Sequence, residues 1–342
     1  MADIDEADAG TQAAELAASP AWYPLSVAGD RVSAVQLQEA DYAAASFLDE
    51  RILAESRRRG TFSLAATAAA AARLAPRSHY LFHIGHVGST LISRLIGARP
   101  AFFSLREPAL LRALGRPAAA GSNSMPLRAV LALLARTWRG EQRAVIKATS
   151  FVSEHGPRIL AESEAPRAIL IHARPLAYLR AILGGPNSRI EARTLAPQRL
   201  RRLQRRAPET AAGPAPRSEG EWVAMSWLAE MSALAAIAQH FPAQVQWVDF
   251  DEFLGAPEAA LATLFRTLGA PAEPGEIETL LADPIMRRYS KAPEHAYDAA
   301  LRREVLAAAD WQFGEEIHLG LKWLESAARR DASVRLVLEA HG

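Results

Sequence analysis

The chain of 342 residues contains no cysteine. Disulfides, thiolate metal sites and cysteine nucleophiles are therefore outside its chemistry. Lysine is scarce as well: of 39 basic residues only Lys147, Lys291 and Lys322 are lysines, the rest being arginine. A GC-rich coding bias accounts for that skew, and it makes each surviving lysine worth locating. Charge of one sign is not in excess: 39 basic against 38 acidic residues leave a net of +1, so no global field draws the chain to nucleic acid or to an anionic membrane. Long apolar runs are missing too. The alanine-rich stretch Ser63–Ala75 is well short of a membrane span. Met1–Gly10 is acidic and has neither a basic n-region nor an apolar h-region, so no cleaved signal is expected, and the chain reads as a soluble, cytoplasmic protein. The nine histidines show neither His-Glu-x-x-His nor His-x-x-Glu-His spacing, which argues against a metal enzyme.

What is present is ample core material, with 50% apolar and 23% charged residues. The length fits about two domains of ~150 residues, or one large domain with elaborations. Residues 1–20 read as a flexible leader. Residues 21–75 read as an N-terminal helical region packed on the core, with Phe47, Leu48, Ile52 and Leu53 on one face and Arg57–Arg59 before Gly60 marking a helix C-terminus. Over residues 76–342 the texture changes. Tyr80–Ile84, Ala144–Lys147, Ala168–His172 and Val245–Val248 are short apolar runs that read as buried strands. The helical patterns Ser89–Ala98, Leu127–Arg139 and Trp222–His240 lie between them. Such alternation predicts an α/β fold, a parallel sheet with helices on both faces. Gly184–Gly220 is the least core-like part, a basic insert with Arg189, Arg193, Arg199, Arg201, Arg202, Arg205 and Arg206 inside 18 residues. It reads either as a solvated helix between connectors or as a lid that meets an anionic ligand.

The segment His83-Ile84-Gly85-His86-Val87-Gly88-Ser89-Thr90 runs from a strand through a tight turn into a helix. Glycines let successive N–H groups point inward, the helix N-terminus adds partial positive charge, and Ser89 and Thr90 offer hydroxyls, which together make a phosphate cradle. It is not a Walker A loop, because Gly88 stands where the lysine would be.

In its context this loop resembles the 5′-phosphosulfate loop of sulfotransferases, with His86, Val87, Gly88, Ser89 and Thr90 in the places of Lys/Arg-Ser-Gly-Thr-Thr. Trp247–Glu258 resembles that family's strand-plus-"YEDL…dPe" signature and runs on into Leu264-Phe265-Arg266-Thr267-Leu268-Gly269. Ile146-Lys147 ends a strand where members carry a lysine, and Ala173-Arg174-Pro175 follows the next strand where they carry Arg-x-Pro. The four segments stand in register over residues 80–330. The resemblance implies a three-layer P-loop fold and a donor, 3′-phosphoadenosine-5′-phosphosulfate (PAPS), that leaves as 3′-phosphoadenosine-5′-phosphate (PAP).

The resemblance also implies roles. Glu107, in Ser104-Leu105-Arg106-Glu107-Pro108, is the counterpart of the base in glutamate-dependent members; its plain alternative is a solvent-facing glutamate before a proline. Lys147 and His86 would neutralise the donor end; Gly85, Gly88, Ser89 and Thr90 would cradle its 5′ group; Arg174 would bind the 3′-phosphate. Arg288, Ser290 and Lys291 resemble the late basic segment that closes over the donor. Two departures stand out: His86 replaces the loop's Lys/Arg, and Ile182 stands where the second 3′-phosphate ligand is a serine, leaving Ser188 as a substitute only if the chain folds back. Thr149 stands where cytosolic-type members carry a histidine. The acceptor would be a hydroxyl or amine on a small molecule or peptide. Two other readings remain beside this one. A Mg-ATP-dependent P-loop kinase would need Asp249 or Asp251 for its metal, and a non-catalytic nucleotide-binding protein on the same fold would need neither.

Overall fold

A computed structural model describes residues 6–53, 57–115, 124–211, 213–288 and 298–342. Among the described residues eight strands form two sheets. β1 (Trp22–Ala28), β2 (Arg31–Gln36) and β3 (Arg59–Ser63) make an antiparallel sheet in that order. β4 (Ser78–His83), β5 (Phe102–Arg106), β6 (Arg143–Lys147), β7 (Ala168–His172) and β8 (Val245–Asp249) make a parallel sheet in the order β5-β6-β4-β7-β8. Every residue of β4, β5 and β7 is buried, the pattern of strands covered on both faces. The register pairs Phe102 with Arg143 and Arg106 with Lys147, so β5 and β6 end level at their carboxyl ends.

The chain divides into two compact units, residues 1–82, 90–169 and 263–273 in the first and 83–89, 170–262 and 274–342 in the second. In the first unit the N-terminal region departs from expectation. Residues 6–18 do not fray but form a helix, Glu6–Ala18, with Ala13 and Leu16 buried. The region expected to be helical instead carries the three strands of the antiparallel sheet, and helix among its described residues is confined to Glu39–Ala44 and Leu64–Ala71, with a 3-10 turn at Glu50–Ile52. The reason lies in the inward-facing Val32 and Ala34 of β2 and Phe62 of β3, with Val32 paired to Phe62, while a tight hairpin at Gly29-Asp30, where Gly29 has φ +57°, joins β1 to β2. Gly60 likewise ends no helix; it lies inside β3, against the rings of Trp22 and Phe62.

Two buried arginines fasten this region by binding carbonyls rather than carboxylates. Arg136 donates to the carbonyls of Leu16, Ser19 and Trp22. Arg106, at the end of β5, donates to those of Tyr42, Ala43 and Ala45. Burial lowers both guanidiniums, Arg136 to about 10 and Arg106 to about 9.

In the second unit the helices Glu219–His240 and Ala299–Arg330 approach so closely that a Cβ on Gly220 would lie 1.8 Å from the Glu316 carbonyl oxygen. The basic insert is mostly one helix, Pro186–Arg206, packed on Glu219–His240. Its arginines do not all face solvent. Arg199 and Arg202 are buried and bind Glu230, itself 1% exposed, at 2.9 and 2.6 Å. Arg189 and Arg193 bind Glu219 at 2.7 and 2.9 Å. Burial alone would raise the Glu230 carboxyl, but the two guanidiniums outweigh it and hold it below its ordinary value of 4.5.

Glu230→Ala should therefore cost about 3–5 kcal/mol in denaturant melts, because it leaves two buried guanidiniums uncompensated. The native carboxyl titrates below its unfolded value, so its contribution is complete above the ordinary carboxylate range and fades as pH falls. The gap between wild type and variant should accordingly narrow in acid.

Candidate functional site

In the first unit the level ends of β5 and β6 carry two ionisable residues side by side. Lys147 closes β6, and Glu107 is the first residue beyond β5. The Glu107 N–H donates to the Lys147 carbonyl at 2.7 Å, extending the parallel ladder by one bond. At that point the chain turns out of the strand with Glu107 at φ +51°, a conformation uncommon for a residue with a side chain. Lys147 Nζ donates to Glu107 Oε1, and Thr149 Oγ1 donates to Oε2 at 3.1 Å. The Lys147 side chain has no exposed surface, and that of Glu107 is 9% exposed. Glu107 is therefore not a solvent-facing glutamate. It is a buried carboxylate held by an ammonium and a hydroxyl, a group that can accept a proton from a donor placed at its exposed edge.

The glycine-containing turn belongs to the second unit. His83 is buried, and its Nδ1 accepts from the Gly85 N–H at 3.0 Å, fixing the start of the turn. Gly85, His86 and Gly88 have φ of +85°, +56° and +62°. Left-handed residues of this kind are found where successive N–H groups line an anion-binding concavity, although here the Gly85 N–H is given to His83. Gly88 is required twice over: for its φ, and because a Cβ there would lie 1.9 Å from the Phe250 ring. The turn runs into the helix Ser89–Gly97, whose first residues, Ser89 and Thr90, are both buried; the Thr90 hydroxyl makes no hydrogen bond.

His86 is engaged on both ring nitrogens. Nδ1 lies 3.3 Å from the Ser188 hydroxyl and Nε2 3.3 Å from Glu191 Oε2. The chain does fold back to bring Ser188 to the turn, in the first helical turn of Pro186–Arg206. Ile182 is buried in the helix Pro175–Leu183. Arg174 precedes that helix, its guanidinium well exposed and bonded at 3.0 Å to Glu252 Oε1. Arg288 is exposed just past the turn Pro284–Arg287. Ser290 and Lys291 lie outside the described residues. The two aspartates that a magnesium site would need have other partners: Asp249 Oδ1 caps the helix Phe250–Gly255 by accepting from the N–H groups of Asp251 and Glu252, and Asp251 pairs with Arg302 at 2.8 Å. Among the described residues no three His, Asp or Glu side chains converge as a metal site.

Sequence reasoning missed Thr149 as a partner of Glu107, and missed Glu191 and Phe250 as partners of the turn. Thr149 lies two residues beyond Lys147, and its alignment with Glu107 follows from the register of β5 and β6. Glu191 and Phe250 carry no local signal, since both meet the turn from more than a hundred residues away.

The chain matches no protein-family model and no curated protein. Among solved structures it is similar to the sulfotransferase domain from the curacin biosynthetic pathway, at 12% identity and a TM-score of 0.44, over 70% of this chain and 98% of that one. It is similar also to a sulfotransferase from Alicyclobacillus acidocaldarius, at 13% identity and a TM-score of 0.38, over 76% and 99%. A third is the sulfotransferase domain from the Synechococcus PCC 7002 olefin synthase, at 14% and 0.38, over 73% and 96%. Likeness at this level assigns no residue a role.

Lys147→Ala should destabilise the protein by about 3–5 kcal/mol in denaturant melts, since it strands a buried carboxylate. Adding Glu107→Gln to that variant should recover more than half of the loss, because the buried charge is then gone. Two independent, additive losses would show that the pair is not coupled.

Proposed function

We propose that this chain is a sulfotransferase that moves a sulfonate from PAPS to a hydroxyl or amine acceptor by direct in-line transfer, releasing PAP. The observation that carries the proposal is the turn at residues 85–90, with left-handed residues at Gly85, His86 and Gly88 in a strand–turn–helix setting. The residues fit such a donor. The turn offers its N–H groups beyond Gly85, and Thr90 a buried hydroxyl with no hydrogen bond among the described residues, for the 5′-phosphosulfate. Arg174 has an exposed guanidinium fork whose single carboxylate partner a phosphate can replace. Bound PAPS supplies a sulfonate already activated by its anhydride link to phosphate.

In this proposal Glu107 accepts the acceptor's proton as the new O–S or N–S bond forms. Lys147 stabilises charge on the bridging oxygen as the S–O bond to phosphate breaks, and His86 gives its Nε2–H to the departing phosphate in place of Glu191. The electron pair of the broken bond leaves with PAP, and no covalent enzyme intermediate is needed. Such loose transfers depend chiefly on positioning and charge stabilisation. Glu107 is suited to its part because its carboxylate is oriented by Lys147 and Thr149 before any substrate arrives. The acceptor is a small molecule or a peptide side chain. No described helix is long and apolar enough to cross a membrane, and a cytoplasmic setting remains part of the proposal. The kinase alternative has less support, since Asp251 is an ion-pair partner of Arg302 and Asp249 has one carboxylate oxygen engaged in a helix cap.

Calorimetric titration with PAP, AMP and ATP plus Mg²⁺ tests the donor. PAP should bind in the micromolar range and AMP at least about tenfold more weakly, and Arg174→Ala should remove most of that difference. Glu107→Gln should leave PAP affinity unchanged and lower sulfonate transfer by about 10²–10⁴-fold. Preference for ATP plus Mg²⁺ would hand the chain to the kinase reading, and no binding of any nucleotide would leave a scaffold that kept the fold without its donor.

A further inference from the structure

The amino ends of β4, β5 and β6 open on a cavity of about 390 Å³ within the first unit, closed on one side by the turn Thr267–Ala270. It is distinct from the Glu107–Lys147 pair. Arg143 lies at the cavity and Lys147 at the far end of the same strand, roughly 13 Å away at ~3.3 Å per residue. Three arginines, Arg143, Arg167 and Arg266, line it with one carboxylate, Glu141, which leaves an excess of two positive charges.

Two of these guanidiniums are poorly neutralised. Arg143 gives Nη2 to the carbonyls of Glu164 and Ala165 at 2.8 and 2.9 Å, and its Nε–H is buried with no hydrogen-bond partner. Arg266 donates only to the Thr263 hydroxyl, at 3.1 Å. Among the described residues neither forms an ion pair with a carboxylate. The floor is rigid. His79 Nε2–H donates to the Leu268 carbonyl at 3.2 Å, and its Nδ1 accepts from the Arg167 N–H at 3.1 Å, tying two walls together. Burial, reinforced by Arg143 and Arg167, pushes this imidazole down to about 4, so it is neutral and both nitrogens are in use. The carbonyls of Ala270 and Pro271 beside the cavity are covered by Arg99.

We propose that this cavity binds a small phosphate monoester that also carries a hydroxyl group. Arg143 and Arg266 hold the phosphate, whose oxygens match guanidinium forks. Glu141, the one acceptor among the charged groups, takes the hydroxyl. A sugar phosphate fills a volume in the range of small-molecule sites. The proposal does not depend on sulfonate transfer.

Ribose 5-phosphate is the test ligand, titrated calorimetrically into the full chain beside inorganic phosphate and ribose. Ribose 5-phosphate should bind more tightly than phosphate, and ribose not at all. Arg266 is exposed and supports no buried group, so Arg266→Ala should leave the melting temperature unchanged and weaken ribose 5-phosphate about tenfold. Glu141→Gln should weaken ribose 5-phosphate and not inorganic phosphate, while Arg174→Ala should change neither. Absence of binding at millimolar ribose 5-phosphate would overturn the proposal, as would binding indifferent to Arg266→Ala or lost with Arg174→Ala. Equal loss of both ligands in Glu141→Gln would overturn the hydroxyl contact.

Discussion

A lysine ammonium with no exposed surface is tolerated only where an anion meets it at close range, because removing the ion from water costs several kcal/mol even after the protein relaxes. Lys147 is in that position, and much of the first unit's geometry at the sheet's carboxyl edge follows from it. The carboxylate must come from the neighbouring strand at the same level, which the register of β5 and β6 supplies. For Glu107 to supply it, the chain must leave β5 in a left-handed conformation, with Pro108 following. The Thr149 hydroxyl then takes the carboxylate's second oxygen. A strand-end lysine, a strained glutamate and a threonine thus form one unit, and none of the three has its observed environment without the others.

The second unit meets an analogous requirement with different means. Its turn needs backbone freedom rather than charge, and it has this from Gly85 and Gly88, while His86 takes up the same left-handed region with a side chain fixed between Ser188 and Glu191. Phe250 seals the turn against Gly88, and the Asp249 cap sets the helix that carries Phe250. The residues flanking the turn are therefore as much a part of it as its glycines.

Four strands of the parallel sheet were legible because each is a short apolar run, and Ala168–His172, buried throughout, was legible to the residue. The glycine-containing turn and the end of β6 at Lys147 were legible because their signals are local. The N-terminal sheet was not, because Phe47, Leu48, Ile52 and Leu53 can be set on a helical face while the true pairing joins β2 to Arg59–Ser63 across the chain between them. The burial of Arg199 and Arg202 was not legible either. A run of arginines reads as a solvated face until Glu230, some thirty residues on, is placed opposite them. Ion pairs between distant segments leave no periodicity to read.

The burial of Lys147 bears on the reactivity of the chain toward electrophiles. Its amine is held as a donor to Glu107 with no surface exposed, so it becomes a nucleophile only in the moments when the pair opens. Lys322 is exposed and serves as an internal reference, and no thiol competes because the chain has no cysteine. The ratio of acylation rates at the two lysines therefore reports how often the carboxyl ends of β5 and β6 come apart, with no label or mutation introduced into the protein.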